Sequence, residues 1–271
     1  MIDEAALDVL ARHLADPRSL GEPPAAFARL LRPELLRALV ERDLRGLLAG
    51  SPPSTKDAPA GQLRLHASRE LAVRARIVAP GAPAGRAIAT LTRHTLLGNA
   101  GRAPFSLRRW CLPPGHPNDV YEPTVQLEPL ADVRLEPGGA LALRAGTDAY
   151  DIVADERPAV ALTAAGPPLV ALAWHYDRAS LRPLRAEPAR KEWLLLRELV
   201  AFAEMLGDAS LVPALANLAG HPSHFVRWAA AKTAHRIAPD AGRAALQELR
   251  ADAHPQVRTA AQRLLAQAGP P

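Results

Sequence analysis

The chain has 271 residues, of which 48% are hydrophobic but only 4% aromatic, so its core must be built mainly from aliphatic side chains. A net charge of +5 and a pI near 10.0 are weak hints of nucleic-acid binding, because a dedicated binder usually carries a denser basic patch. The single cysteine, Cys111, excludes an intramolecular disulfide and fits a reducing compartment. With no secretory leader and no apolar run of membrane-spanning length, we expect a cytoplasmic protein without a membrane segment.

The first 49 residues predict a helical lead-in. Apolar residues recur at helical spacing over Asp3–Ala15 and over Pro24–Leu48, where Pro33 either kinks the helix or lies in the first turn of a second one. The next stretch, residues 50–61 (GSPPSTKDAPAG), has no apolar period and is rich in Pro, Ser and Gly. We therefore predict a linker there.

Residues 62–185 predict an antiparallel β-domain, because the apolar period changes to two. Short candidate strands alternate with turns that contain Pro and Gly, and no segment between them is long enough for a crossover helix. A parallel α/β sheet is therefore disfavoured, and a β-sandwich or barrel is expected. The candidate strands are Leu71–Val78, Ile88–Leu97, Phe105–Leu112, Thr124–Leu127, Ala131–Leu135, Ala140–Arg144, Ala149–Val153, Ala159–Thr163 and Leu169–Tyr176.

The clearest hairpin covers residues 133–153 (VRLEPGGALALRAGTDAYDIV), with a turn at Gly139 and another at Gly146. This segment resembles the second conserved motif of the cupin superfamily. Both glycines match the motif, but Ala149 stands at the position of its histidine. Upstream, residues 115–122 (GHPNDVYE) are similar to the first cupin motif. The resemblance implies a jelly-roll barrel.

The same resemblance maps the usual cupin metal ligands to His116, Asn118, Glu122 and Ala149. Only His116 and Glu122 are good donors, whereas a site for Fe, Mn, Ni or Zn needs at least three that converge. We therefore predict a barrel without a cofactor, in which the histidines make ordinary hydrogen bonds. The alternative is a rearranged site for Fe(II) or another divalent metal. Its candidate ligands are His94, His116, Glu122 and His175.

Other catalytic motifs are weaker. Cys111 follows Trp110 in a predicted strand, where a lone cysteine is usually an inert buried thiol. Asp148 and Asp151 are three residues apart, so they should point to opposite faces of a strand and form no acid–base dyad. We expect Asp148 to cap the Gly146–Thr147 turn instead. The sequence has neither a GxSxG nucleophile motif nor a glycine-rich phosphate loop, which disfavours nucleotide-dependent chemistry.

The helical period returns in the last third of the chain, first over Lys191–Leu206. Residues 221–230 (HPSHFVRWAA) are then echoed by residues 254–261 (HPQVRTAA), with an offset of 31 residues from Val226 to Val257. The motif and its spacing resemble short bacterial HEAT-like repeats of the PBS-lyase type. That resemblance implies stacked helix pairs in which His-Pro starts the second helix, the Val packs inward and the Ala pair allows close helix contact.

Stacked helix pairs form a concave surface that binds protein segments and, in some relatives of this repeat class, DNA. Basic residues on the second helices are predicted to contact a partner there. The alternative is that they are solvated and paired with Asp240, Glu248 and Asp252. The predicted partner-binding residues are Arg227, Lys232, Arg236, Arg258 and Arg263.

The sequence thus predicts an α+β protein with four parts: N-terminal helices (1–49), a linker (50–61), an antiparallel jelly-roll, cupin-like β-sandwich (62–185) and C-terminal α-helical HEAT-like repeats (186–271). The favoured function is a non-catalytic binding protein that holds a protein or peptide partner. A small-molecule ligand in the barrel and a homodimer remain open. The alternatives are a metal-dependent, non-haem iron cupin-type oxygenase and, less favoured, a nucleic-acid-binding helical module.

Overall fold

The computed structural model describes residues 3–16, 20–50, 61–81 and 85–267. The chain divides into two compact units, residues 1–187 and residues 188–271. The predicted linker falls almost wholly on residues 51–60, which lie outside the described ranges. Among the described residues, no helix has the length and apolar character needed to cross a lipid bilayer.

The first unit opens with three helices, α1 (Glu4–Ala15), α2 (Ala25–Leu30) and α3 (Pro33–Leu48). The side chain of Asp3 accepts a hydrogen bond from the backbone N–H of Ala5 (3.1 Å), which caps the start of α1. Pro33 lies in the first turn of α3, where its missing N–H leaves no helical hydrogen bond unmade. It therefore begins a helix and does not kink one.

Eleven strands follow within the described residues of this unit. They are β1 (Gln62–Ala67), β2 (Ala72–Val78), β3 (Ala87–Ala89), β4 (Thr95–Asn99), β5 (Phe105–Cys111), β6 (Glu128–Leu135), β7 (Ala140–Leu143), β8 (Asp148–Ala154), β9 (Ala159–Ala165), β10 (Leu172–Asp177) and β11 (Pro183–Pro188). The first sheet has the order β1-β2-β9-β4-β7. The ladders β11-β10-β3 and β6-β5-β8 are linked by a bridge between Thr90 and Ala149 and together form the opposing layer. The strands of the five-stranded sheet, those of the ladder β6-β5-β8, and the pair β10-β3 are all antiparallel to their neighbours.

The two faces of the first sheet bury different side chains, as strand alternation requires. On its outer face, Leu162 packs against Leu14 of α1 and Phe27 of α2, and all three are fully buried. On its inner face, Leu97 packs against the opposing layer, including Phe105, in a second fully buried cluster. This β-sandwich, closed on one side by helices, confirms the predicted α+β architecture.

The structure corrects two strand predictions and adds two strands that were not predicted. The predicted strand Ile88–Leu97 is two strands, because the chain turns away at Leu91, whose carbonyl accepts a hydrogen bond from Gly146. Thr124–Leu127 forms no strand, since Val125 donates to the carbonyl of Glu122 within a turn. The strands β1 and β11 were not predicted. Both lie at sheet edges, where burial alternates weakly and leaves little pattern in the sequence.

The second unit is helical, with two short 3₁₀ turns beside its shortest helix. Its helices are α4 (Lys191–Leu206), α5 (Val212–Ala216), α6 (His224–Ile237), α7 (Pro239–Leu249) and α8 (Pro255–Gln267). One core cluster joins α6 to α4 and α5, and another joins α6 to α7 and α8. The repeat predicted from the sequence is visible in the packing, because Val226 and Val257 are buried and Ala230 and Ala261 are fully buried.

Two details of the helical unit could not be foreseen. The helices α6 and α7 approach closely at Gly242, where a Cβ atom would lie 2.1 Å from the backbone nitrogen of His235, so only glycine fits. The two His-Pro pairs are not equivalent. Pro255 starts α8, whereas α6 starts only at His224, two residues after Pro222. The prediction that His-Pro begins both helices is therefore wrong for the first one.

Candidate binding surfaces and the predicted metal ligands

His94, a candidate metal ligand, precedes β4 and is buried. Its Nδ1 accepts a hydrogen bond from the backbone N–H of Ala145 (3.0 Å), which ties the β3–β4 connection to the turn before β8. Burial, and to a smaller extent the charge of Arg144, lowers the pKa of His94 below its ordinary value. Its imidazole is therefore neutral at pH 7 and serves as a hydrogen-bond acceptor within the fold.

The other three candidate ligands lie in different surroundings. His175 on β10 has its Nε2 3.2 Å from the carboxylate of Glu187 on β11. Glu122 is exposed and accepts a hydrogen bond from the hydroxyl of Thr124 (2.8 Å), and His116 lies half-buried in the loop after β5. In the described part of residues 1–187, no three His, Cys, Asp or Glu side chains bring ligand atoms within 4.8 Å of one another. The structure therefore does not assemble the four residues into a ligand set.

Ala149, at the position of the motif histidine, is a packing residue. It is fully buried on β8, where it is paired in register with Trp110 of β5 and bridged to Thr90 on the other side. A methyl group at this point lets the two ladders of the second layer meet. The position that would hold a metal-binding histidine in the resemblance is thus used here to join strands.

The neighbouring polar residues behave as the sequence indicated. Asp148 accepts hydrogen bonds from the backbone N–H of Arg144 (2.9 Å) and the hydroxyl of Thr147 (3.0 Å), so it caps the turn before β8. Burial raises the pKa of the Cys111 thiol, and the nearby carboxylates of Glu128 and Asp148 raise it further. The thiol is therefore protonated at neutral pH and poorly nucleophilic.

Two of the predicted partner-binding arginines make the same contacts one repeat apart. Arg227 makes a two-pronged ion pair with Asp252 (both 2.7 Å), and its Nη1 donates to the carbonyl of His221 (2.8 Å). Arg258, 31 residues later, donates its Nη1 to the carbonyls of Asp252 (2.6 Å) and Ala253 (2.8 Å). Each arginine thus fixes the loop that leads into its own helix. The motif Val-Arg-x-Ala-Ala is explained by packing and loop geometry.

The remaining basic residues of that set are more accessible. Arg236 is exposed and forms an ion pair with Glu204 of α4, Lys232 is half-buried, and Arg263 is exposed on α8. Their predicted role in partner binding stays a prediction. The paired Arg236 would have to leave its carboxylate to contact an anionic partner.

A surface that sequence reasoning missed lies on α4. A shallow groove of about 440 Å³ between α4 and α5 is lined only by apolar residues. The same helix exposes a row of large apolar side chains along and beside this groove, which we call the α4 face. Its members are Leu195 (60% exposed), Leu199 (54%), Phe202 (61%), Met205 (83%) and Leu206 (72%). The helical periodicity of residues 191–206 indicates a broad apolar stripe on α4, but it does not indicate how much of that stripe is exposed to solvent.

The opposite end of the helical stack is polar. The helix α8 buries Val257 and Ala261 towards α6 and α7 and turns polar side chains outwards. We call this surface the α8 face. Its members are Thr259, Gln262, Arg263 and Gln267, all of them exposed.

Comparisons with known proteins agree with this architecture. Residues 179–266 match the family model for HEAT repeats. No curated protein sequence matches the chain. The HEAT-like repeats predicted from the sequence are confirmed by this match, and the two-layered antiparallel β-domain confirms the predicted β-sandwich.

Several solved structures resemble part of the chain at low sequence identity. A hydroquinone 1,2-dioxygenase, PnpCD, aligns with 43% of this chain and 69% of its own at 18% identity and a TM-score of 0.31. The hydroquinone 1,2-dioxygenase from Sphingomonas sp. TTNP3 aligns with 43% and 71% at 11% identity and a TM-score of 0.30. KdgF from Halomonas sp. aligns with 41% and 85% at 17% identity and a TM-score of 0.27. Likenesses at this level carry no conclusion about activity or ligand.

Proposed function

We propose that this protein is a non-catalytic binding protein whose helical repeats hold a helix of a partner protein on the α4 face. The observation that carries the proposal is the contiguous row of large apolar side chains that α4 leaves in solvent. Monomeric proteins rarely expose apolar patches larger than about 300–600 Å², and those that do usually bind something there.

Aligning α4 with α6 by the 31-residue period shows which residues of α6 correspond to the α4 face. Leu195 and Leu199 of α4 correspond to Val226 and Ala230 of α6, which are both fully buried. Ala230 packs in the cluster that α6 shares with α4 and α5. The α4 face is therefore the surface on which a preceding repeat would pack, and it is open.

The same period indicates what fits there. Within the stack, the front of one helix meets the back of the preceding one, and that back presents small residues, Val200 and Ala203 on α4 or Ala231 on α6. The equivalent back position on α8 is Gln262, so a second copy of this chain cannot continue the stack head to tail. We therefore assign the α4 face to an amphipathic helix of another protein that carries small apolar residues at spacings of three and four.

The test is photo-crosslinking from position 205 in the native cell, followed by reconstitution. Met205 is replaced by p-benzoylphenylalanine, the crosslinked protein is identified, and its purified form is titrated against the full chain. We expect the crosslink to map to one helical segment with the stated pattern. Because Leu199 would become buried on binding, Leu199→Glu should weaken the affinity by about 10- to 100-fold.

The matched control is Gln262→Glu on the α8 face, which places the same charge at the other end and should leave the affinity unchanged. Both positions are exposed, so neither variant should disturb folding. Two results would contradict the proposal. One is a crosslink that joins position 205 to a second copy in a dimer seen by light scattering. The other is a partner whose affinity does not respond to Leu199→Glu.

The non-catalytic part of the proposal has its own test. It rests on Ala149 and on the separate surroundings of His94, His116, Glu122 and His175 in the β-domain. Protein purified without chelators should contain no stoichiometric iron or manganese that depends on His116. Metal that is present at one equivalent and is lost in His116→Ala would favour the metal-dependent alternative.

A further inference from the structure

The β-domain has a cleft of about 390 Å³ whose side-chain charge is unbalanced. Three arginines line it, Arg76 on β2, Arg108 on β5 and Arg178 just after β10, together with a single carboxylate, Asp151 on β8. The cleft lies where the two layers meet, because Pro80 after β2 bridges Ala154 at the end of β8. Its lining residues therefore carry a net charge of about +2 at neutral pH.

Arg178 is held in one orientation. Its Nε donates to the carbonyl of Gly85 (2.7 Å), its Nη1 bonds to Asp151, and its guanidinium lies 5.9 Å from the ring centre of Trp110. Its Nη2 has no hydrogen-bond partner among the described residues. A guanidinium fixed on three sides loses little side-chain freedom when it contacts a ligand.

Arg76 and Arg108 are exposed, and their side chains make no hydrogen bond or ion pair with any described residue. By contrast, Arg134, which lines another pocket of the β-domain, is bound to Glu136 and Asp155. Asp151 alone cannot balance three guanidinium groups.

We propose that this cleft binds a small molecule that carries a phosphate monoester. A phosphate monoester has a charge between about −1.5 and −2 at pH 7, which matches the net charge of the lining, and its oxygens suit two-pronged contacts from arginine. A volume of 390 Å³ holds the phosphate together with a body of sugar or glycerol size. This site is independent of the α4 face, so either proposal can fail without the other.

Isothermal titration calorimetry of the full chain in phosphate-free buffer tests the proposal, with inorganic phosphate and glycerol phosphate as probes. We expect both to bind, the ester more tightly, since the cleft is larger than a phosphate ion. Arg76→Gln and Arg108→Gln should each weaken binding at least tenfold. Because both side chains are exposed and unpaired, these variants should fold normally, which thermal unfolding without ligand checks.

Arg74→Gln is the matched control, since Arg74 is an exposed arginine two residues away on β2 that does not line the cleft. The Arg74→Gln variant should bind both probes with the affinity of the unmodified protein. The proposal is overturned if neither probe binds at millimolar concentration. It is also overturned if Arg74→Gln weakens binding as much as Arg108→Gln, because the effect would then reflect net charge alone.

Discussion

The two ends of the helical stack are built from one repeat but present opposite surfaces. At the α8 end, Thr259 and Gln262 are exposed, whereas the equivalent residues of the preceding repeat, Trp228 and Ala231, are partly buried and buried. At the α4 end, the positions that bury Val226 and Ala230 in the following repeat are occupied by Leu195 and Leu199, which are exposed. One end is closed by polar side chains, and the other is left apolar.

The difference shows what a repeat sequence specifies. Repeat proteins need terminal units with polar outer surfaces for solubility, and the α8 face meets that requirement. The α4 face does not meet it, because its exposed side chains are apolar. Exposed Leu and Phe side chains add no stability to the fold, since they are not removed from water. The row from Leu195 to Leu206 is therefore better explained by a neighbour that covers it than by the folding of the stack alone.

The largest expected effect on stability comes from placing a carboxylate at equivalent positions inside the stack and on the α4 face. Val226→Glu puts a carboxylate into a fully buried site and should lower the free energy of unfolding by about 3 kcal/mol or more. Leu195→Glu changes a side chain that is 60% exposed and should cost no more than about 0.5 kcal/mol. Urea unfolding followed by circular dichroism measures both values.

Equal losses of stability in these two variants would contradict the comparison, because they would mean that Leu195 is as buried in solution as Val226. The conservative pair Val226→Ala and Leu195→Ala provides the control without a charge. Val226→Ala should again lose more unfolding free energy than Leu195→Ala, by a smaller difference.

An intermediate effect is expected from the ion pair that joins successive repeats inside the stack. The side chains of Arg227 and Asp252 are only 14% and 3% exposed, so Asp252→Asn leaves a buried guanidinium without its carboxylate and should cost about 2–3 kcal/mol. The outer pair of Arg236 and Glu204 is more exposed, and Glu204→Gln should cost about 0.5 kcal/mol. Denaturant titration at pH 7 compares the two variants.

The pH dependence separates a lost ion pair from a packing defect. Burial by itself raises the pKa of Asp252, but hydrogen bonds from Arg227 and from the backbone N–H of His254 together hold that pKa below its ordinary value. A carboxyl whose folded pKa is lowered stabilises the protein above its unfolded pKa of about 3.9 and loses that effect as the pH falls towards the folded value. The stability gap between the unmodified protein and Asp252→Asn should therefore narrow below about pH 4. A constant gap would assign the loss to packing.

The helical stack and its 31-residue offset were predicted from the sequence, but the residue at which α6 begins was not. Matching Val226 to Val257 gives the true offset of 31 residues, whereas matching the two His-Pro pairs gives 33. The structure follows the first, because Asp252 occupies the place of His221: each accepts a hydrogen bond from the backbone N–H two residues later. The two His-Pro pairs are identical in sequence but do not align in the structure, because His221 has its structural equivalent in Asp252.

The β-domain shows the same limit. Alternation of apolar residues predicted most strands, because one face of each is buried, but it failed at the edge strands β1 and β11. The arginine cleft could not be foreseen, since Arg76, Arg108 and Arg178 are far apart in the sequence and belong to three strands or their ends. Only the meeting of the two layers brings them together.

The smallest effect is expected from giving the α8 face the chemistry of an internal repeat. In the double variant Thr259→Trp and Gln262→Ala, the end of the stack would copy Trp228 and Ala231, which pack inside it. That surface could then meet the α4 face of another copy, and such a head-to-tail contact does not close on itself. We expect weak, concentration-dependent chains, detected by sedimentation velocity at high protein concentration.

Adding Leu199→Glu to the double variant should abolish these chains, because it places a charge in the α4 face that the new surface must contact. Chains that persist with this charge present would show that the new apolar surface associates with itself. The α4 face would then not be an open stacking surface, and the helix-binding role assigned to it would lose its physical basis. A double variant that stays monomeric at all concentrations would show that Trp and Ala at these two positions do not suffice to occupy that face.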